Sequence, residues 1–158
     1  MVLDYKPGHK GVDPRYKARF VACGYGQLYG VDYLATYSPV VKHLSIRLIL
    51  ALVAAFDLEM IQLDVKAAFL YGQLEETIYM QQPEDFLIPG KEETICQIQK
   101  PIYGLKPAAN WWNVEFNKFL IDFGFVRSKQ SLCVYYRVRP DGEYTILIVF
   151  DDRLACSN

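Results

Sequence analysis

The run Tyr144-Thr-Ile-Leu-Ile-Val-Phe150 ends on two adjacent carboxylates, Asp151 and Asp152, and this junction constrains the fold more than any other stretch. Seven residues rich in β-branched and aromatic side chains read as a buried strand. Each acid at its end must be solvated, hydrogen-bonded or neutralised by a cation. A third carboxylate stands in the same setting upstream, in Met60-Ile-Gln-Leu-Asp64-Val. Two apolar strands that each end in acid, if they meet in one sheet, assemble the hard oxygen donors of a two-metal phosphoryl-transfer site. Taken singly the motifs say less: Asp-Asp after a strand also reads as a turn or a helix cap, and Leu-Asp-Val alone specifies nothing.

At 158 residues, with 52% hydrophobic and 15% aromatic content, the chain is sized for one domain with a real core and is not disordered. Its net charge of −1 lacks the basic excess usual in a freestanding nucleic-acid binder. The charge is uneven, however. Lys6, Lys10, Arg15, Lys17, Arg19, Lys42 and Arg47 outweigh Asp4, Asp13 and Asp32 in the first fifty residues, whereas the stretch 57–93 is acidic. A basic lobe beside an acidic centre suits phosphate contacts next to a metal site, and it equally describes two solvated surfaces. Cys23, Cys96, Cys133 and Cys156 are scattered, and His9 and His43 complete no zinc pattern, so buried reduced thiols are expected. The N-terminus lacks the apolar core of a signal peptide, and the run Leu48 to Phe56 is too short to cross a bilayer. A soluble intracellular chain without membrane contact is expected.

Strand, turn, strand is expected over Met1 to Ala22, with the turn at Lys6 to Pro14 and with Lys17 and Arg19 on one face. Ser45 is expected to cap a helix, Ile46 to Ala55, apolar on most sides and therefore buried. Strands are expected at Leu58 to Leu63, Glu75 to Met80 and Thr94 to Lys100. A helix is expected from Pro107 to Asp122, stopped by Gly124. Its Trp111, Trp112, Phe116, Phe119 and Leu120 form a wide apolar stripe. The tryptophans offer a stacking surface or core packing, and core packing is the expectation. Cys133 to Val138 and Tyr144 to Phe150 are strands joined by the hairpin signal Arg139-Pro-Asp-Gly142. The order β-β-α-β-β-β-α-β-β is that of an α+β domain with a mainly antiparallel sheet and packed helices.

Seven blocks occur in one order: Tyr16-Lys-Ala-Arg-Phe-Val-Ala-Cys-Gly24, Gly30-Val-Asp-Tyr33, Tyr37-Ser-Pro-Val-Val-Lys42, Ser45-Ile-Arg47, Gln62-Leu-Asp-Val-Lys-Ala-Ala-Phe-Leu-Tyr-Gly72, Ile78-Tyr-Met-Gln-Gln-Pro83 and Tyr103-Gly-Leu-Lys106. Together they resemble the reverse transcriptase of Ty1/copia-type retrotransposons, part of a larger Pol polyprotein, from about Tyr5 to Leu154. The resemblance implies an RNA-directed DNA polymerase working by two-metal nucleotidyl transfer, with two magnesium ions (or manganese) as cofactors. A template-primer of RNA or DNA and deoxynucleoside triphosphates are the implied partners, and the cytoplasm, within a virus-like particle, or the nucleus the implied location. It puts Asp64, Asp151 and Asp152 on the catalytic, metal-holding aspartates, with the Val65 carbonyl beside them. Phe69 falls where the family walls off a nucleotide 2′-hydroxyl; by residue type alone it is an ordinary core phenylalanine. Lys17 and Arg19 fall in a segment that meets the triphosphate; by residue type alone they are a solvated strand face. Lys66 reads as a phosphate contact or a partner of Asp64, and Lys106 lies at the nucleotide-binding Tyr-Gly-Leu-Lys block.

Several positions depart from the family's pattern. Val149-Phe150 stands where Tyr-Val is usual, Pro107-Ala-Ala-Asn110 where Gln-Ala-Pro-Arg is usual, and Cys23 where lysine is usual. Arg153 carries a charge where an aliphatic residue is usual, and the few residues after it give little to pair as a strand. The resemblance thus implies one truncated domain over 1–158, fingers-like over about 1–56 and palm-like over about 57–158, without a thumb. Alternatives are an inactive relic or a module co-opted for nucleic-acid or protein interaction, whose incomplete sheet exposes an edge.

Overall fold

The computed structural model of the chain describes residues 1–8, 11–150 and 153–157. Among the described residues nine strands and two α-helices follow in order: β1 (Val2–Lys6), β2 (Arg15–Arg19), α1 (His43–Phe56), β3 (Met60–Asp64), β4 (Tyr79–Gln81), β5 (Ile95–Gln97), α2 (Ala108–Asp122), β6 (Val126–Arg127), β7 (Val134–Val138), β8 (Tyr144–Phe150) and β9 (Arg153–Ser157). Every pairing between these strands is antiparallel, so the chain is α+β as expected. It divides into two compact units, residues 1–36 with 69–112 and residues 37–68 with 113–158.

The first unit holds two separate hairpins, β1-β2 and β4-β5. Period-two alternation in β2 puts Lys17 and Arg19 on one face, with Lys17 opposite Asp4 and Arg19 opposite Val2. The core is Ile78, Leu105, Ala108 and Trp111, against which Ala22, Phe69, Leu74, Ile98 and Ile102 pack. Trp111 and Trp112 are both buried, so they are core residues rather than an open stacking surface. A backbone joint closes this unit. The Ala22 N–H donates to the Tyr103 carbonyl at 2.7 Å, and Val21 and Tyr103 form a parallel bridge. Glycine is required on both sides. A β-carbon on Gly24 would meet the Gly104 carbonyl, and one on Gly104, at φ +91°, would meet that of Ala22. Two blocks eighty residues apart in sequence therefore meet as one structural joint. The loop after β4 is held by the buried Gln82. Its Nε2 donates to the carbonyls of Lys91 (2.6 Å) and Thr94 (3.0 Å) and to Thr94 Oγ1 (2.9 Å), and its Oε1 accepts from the Ile88 N–H (3.0 Å).

The second unit is built on a five-stranded sheet in the order β3-β9-β8-β7-β6. Its buried side chains include Tyr135, Leu147, Ile148 and Val149 from the strands and Phe116 and Leu120 from α2. The Tyr135 hydroxyl donates to Asn117 Oδ1 at 3.0 Å, and the Arg127 guanidinium lies 5.6 Å from the Tyr135 ring centre. The C-terminus of α2 follows its sequence signal. Gly124 sits at φ +89°, its N–H donates to the Ile121 carbonyl and that of Phe125 to Leu120, both at 2.9 Å. The β7-β8 hairpin turns at Arg139 to Gly142 as expected, with Gly142 at φ +90°.

Three expectations fail. Ser45 does not cap α1: the helix starts at His43 with Lys42 in the cap position, and Ser45, already within the first turn, hydrogen-bonds Ser131 Oγ at 3.3 Å. Nor is α1 buried. Ile49 is its one buried side chain, and Leu44, Leu48, Leu50 and Phe56 are exposed. Apolar composition sets the free energy available from covering a helix, not whether an element is there to cover it. Third, the residues after Asp152 were expected to give little to pair, yet β9 pairs along all five residues with both β3 and β8. The strand at Glu75 to Met80 shrinks to Tyr79–Gln81, and β6 went unforeseen.

Gly104→Ala is expected to destabilise the protein by on the order of 2–4 kcal/mol, through left-handed strain and overlap with the Ala22 carbonyl. Gly26→Ala, where a β-carbon meets nothing within 4 Å, is expected to change stability by less than about 0.5 kcal/mol. Paired urea melts check both.

Burial pushes both the Cys133 thiol and the Tyr135 phenol up, against an opposing pull from Arg127. Each then holds its proton more tightly folded than unfolded. Their stabilisation is complete below the ordinary values of 9.0 and 10.0 and is lost as pH rises through the folded ones. Urea melts are therefore expected to show stability falling above about pH 9, with a shallower fall in Tyr135→Phe.

Candidate functional site

Asp64 closes β3, where the apolar run Met60 to Leu63 gives way to Val65 and the chain turns. The sheet register gives this position its interest. Asp64 pairs with Arg153 in β9, and Arg153 pairs with Phe150 in β8. Because β9 is antiparallel to both neighbours, β3 and β8 run parallel and finish at the same end of the sheet. Asp64 and Phe150 are thus two strand spacings apart, roughly 10 Å. The next residues in sequence, Asp151 and Asp152, lie outside the described residues.

The segment after Asp64 turns sharply. Ala67 takes φ +53°, a conformation that costs a residue with a β-carbon on the order of 1 kcal/mol. Asp64 and Lys66 are exposed and Val65 is half-buried. A short 3₁₀ turn, Ala68–Tyr71, then carries Phe69 into the first unit's core, where its ring centre lies 4.6 Å from that of Tyr103. Phe69 is half-buried, packed as the residue-type reading expected.

Lys17 is exposed and Arg19 half-buried on their hairpin. Lys106 is exposed but engaged: its N–H donates to Gln27 Oε1 at 2.7 Å, its Nζ donates to the Gln27 carbonyl at 2.9 Å, and the ammonium lies 5.6 Å from the Tyr33 ring centre. It ties down the glycine-punctuated loop over 24–33, which is further closed by Leu28 N–H donating to Asp32 Oδ2 at 2.7 Å. Lys17, Arg19, Phe69 and Lys106 belong to the first unit, and Asp64 and Val65 to the second. Sequence reasoning passed over Gln27 and Gln82. A glutamine that caps loop groups carries no local signature, and only its partners reveal it.

Among the described residues no three acidic, histidine or cysteine side chains gather as a metal cluster. By residue type, the donors in the expected metal set are all oxygen: the Asp64 carboxylate, the Val65 carbonyl and the Asp151 and Asp152 carboxylates. Such a hard set fits magnesium or manganese and not a thiophilic metal.

A family model described as reverse transcriptase (RNA-dependent DNA polymerase) matches residues 2–158. The retrovirus-related Pol polyprotein from transposon TNT 1-94 of Nicotiana tabacum is 45% identical over 138 residues, covering 87% of this chain and 10% of that protein. That from transposon RE1 of Arabidopsis thaliana is 40% identical over 144 residues, 91% of this chain and 10% of the relative. The Ty1-ER2 Gag-Pol polyprotein of Saccharomyces cerevisiae is 27% identical over 151 residues, 92% and 8% respectively. The chain spans about a tenth of the length of these relatives. No solved structure matches it. The chain belongs to the reverse transcriptase family, in the copia-type branch of retrotransposon Pol proteins.

Proposed function

We propose that the chain is the fingers and palm portion of a template-directed polymerase that extends a primer by two-metal nucleotidyl transfer. The observation that carries this reading is the register at the sheet end, where β3 closes on Asp64 level with the Phe150–Arg153 pair flanking Asp151-Asp152. Family membership over residues 2–158 supports it independently. Three carboxylates brought to one end of a sheet would need a counter-charge there. Asp64, Asp151, Asp152 and the Val65 carbonyl would hold two magnesium ions. When bound, these supply the charge that acidifies a primer 3′-hydroxyl and steadies a triphosphate leaving group.

The protein's own part is positioning. The β9 ladder fixes the backbone at Asp64, and the left-handed Ala67 sets the path of the chain from there to Phe69. In this reading Phe69 backs the sugar of the incoming nucleotide, its packing on Tyr103 resisting displacement by a 2′-hydroxyl. Lys17 and Arg19 supply positive charge toward the triphosphate, and Lys106 presents the Tyr-Gly-Leu-Lys block. The partners are a template-primer and deoxynucleoside triphosphates, with the other segments of a Pol polyprotein as neighbours.

A second reading, an inactive module that binds without turnover, draws on the uncovered apolar side chains of α1 and of β3, an edge strand among the described residues. Val149-Phe150 and Pro107, which depart from the family's pattern, favour it as well.

Primer extension on an RNA template with magnesium decides between them. The wild-type chain is expected to extend the primer, and Asp64→Asn and the Asp151→Asn, Asp152→Asn pair to lower the rate by about a thousandfold or more. Folded wild-type protein that extends nothing would overturn the polymerase reading for this chain.

A further inference from the structure

The first unit contains a cavity of about 540 Å³ that the catalytic reading leaves unused. Its wall carries three aromatic residues, Phe20, Tyr79 and Phe86, all exposed, and three carboxylates, Asp32, Glu84 and Asp85. Among the described residues no lysine, arginine or histidine lines it, and none of the three acids is in an ion pair. One oxygen of Asp32 accepts the Leu28 N–H at 2.7 Å, and Glu84 and Asp85 are exposed. The segment bearing Glu84, Asp85 and Phe86 is held from within, because the buried Gln82 bonds the backbone of Ile88, Lys91 and Thr94.

These features select a class of ligand. Negative charge with no cation beside it favours a cation. Among the described residues the acids do not gather as a metal cluster, and aromatic faces give a hard metal ion no oxygen ligand, so a bare divalent ion is a poor match. A guanidinium is planar and weakly hydrated; it stacks on aromatic faces and meets carboxylates as a fork. A polyamine brings the charge without the planar face. The volume falls in the range of about 300–1,000 Å³ that encloses a ligand larger than one charged group. We infer that this cavity takes an arginine side chain of a basic protein segment, its guanidinium stacked on the aromatic wall and its charge met by Asp32, Glu84 and Asp85. The inference goes beyond the polymerase reading and does not require it.

The test uses fluorescence anisotropy with the full chain at about 0.15 M salt, where diffuse attraction is screened. It compares a short fluorescein-labelled peptide carrying two arginines with the same peptide carrying citrulline, which keeps the shape and loses the charge. The wild type is expected to prefer the arginine peptide by about tenfold, the scale of one cation held against an aromatic face. Phe86→Ala, and Glu84→Gln combined with Asp85→Asn, are each expected to abolish most of that preference. Cys23→Lys, at an exposed position in the same wall, places a tethered ammonium in the cavity and is expected to do the same. Glu75→Gln combined with Glu93→Gln removes equal charge from exposed acids outside the wall and is expected to leave the preference intact. Circular dichroism checks that each variant is folded. Equal wild-type affinity for the two peptides would overturn the inference, as would a preference that survives in a folded wall variant or disappears in the Glu75, Glu93 control. Spermidine binding more tightly than the arginine peptide would overturn the assignment to a protein side chain. Primer extension is no part of the readout, so failure of the polymerase reading and failure of this one are seen separately.

Discussion

Strand β9 is hydrogen-bonded on both sides, to β3 through Met60–Asp64 and to β8 through Ile146–Phe150. Remove that strand and, among the described residues, β3 has no partner in any sheet. The double pairing also decides orientation. An antiparallel strand between two others forces those two to run parallel, so their carboxyl ends coincide. Side-chain packing could move by an ångström without disturbing this relation, because the ladder fixes it in whole residues. A shift of one residue would turn Asp64 to the opposite face of the sheet and carry Met60 and Gln62 with it.

The first unit relies on a different device. Its two hairpins, β1-β2 and β4-β5, are separate sheets, so no common ladder joins them. Cohesion comes from the small core around Trp111 and from the close backbone approach of Gly24 to Gly104. Lys106 extends that joint beyond Gly104, binding Gln27 through both its main-chain and side-chain nitrogens. The consequence is that the Tyr-Gly-Leu-Lys block is structural before it is anything else. A residue in it can affect ligand binding by loosening the loop over 24–33 without touching a ligand, which is why a positioning role has to be separated from a contact role by a conservative variant.

What could be read from the sequence follows how local each signal was. Helix α2 began after Pro107 and stopped at Gly124, and β8 ran from Tyr144 to Phe150, because proline, a left-handed glycine and a β-branched run act on their own neighbours. The Arg139 to Gly142 turn belongs to the same class. Strand β9 was illegible for the opposite reason. Arg-Leu-Ala-Cys-Ser has modest strand character, and two neighbours already in strand conformation override it. Ser45 failed as a cap because His43 and Leu44, just before it, already take helical geometry, which cap chemistry does not report. The acidic strand ends were visible individually. That β3 and β8 share a sheet end is tertiary information, and family resemblance, not spacing, anticipated it.

The near-neutral charge of the chain can be reconciled with a nucleic-acid substrate through its distribution. Lys6, Arg15, Lys17 and Arg19 all lie on one two-stranded ribbon, although Asp4 draws Lys6 into an ion pair at 3.1 Å. That pair is exposed, so solvent screens it and it withdraws little of the ribbon's attraction for phosphate. Glu84 and Asp85 occupy a short turn in the wall of a cavity with aromatic sides and put negative charge there. A net charge sums these opposing jobs to nearly zero. Affinity for a polyanion depends instead on which charges a strand meets, and a surface that attracts phosphate in one place and rejects it in another constrains how a strand lies on it.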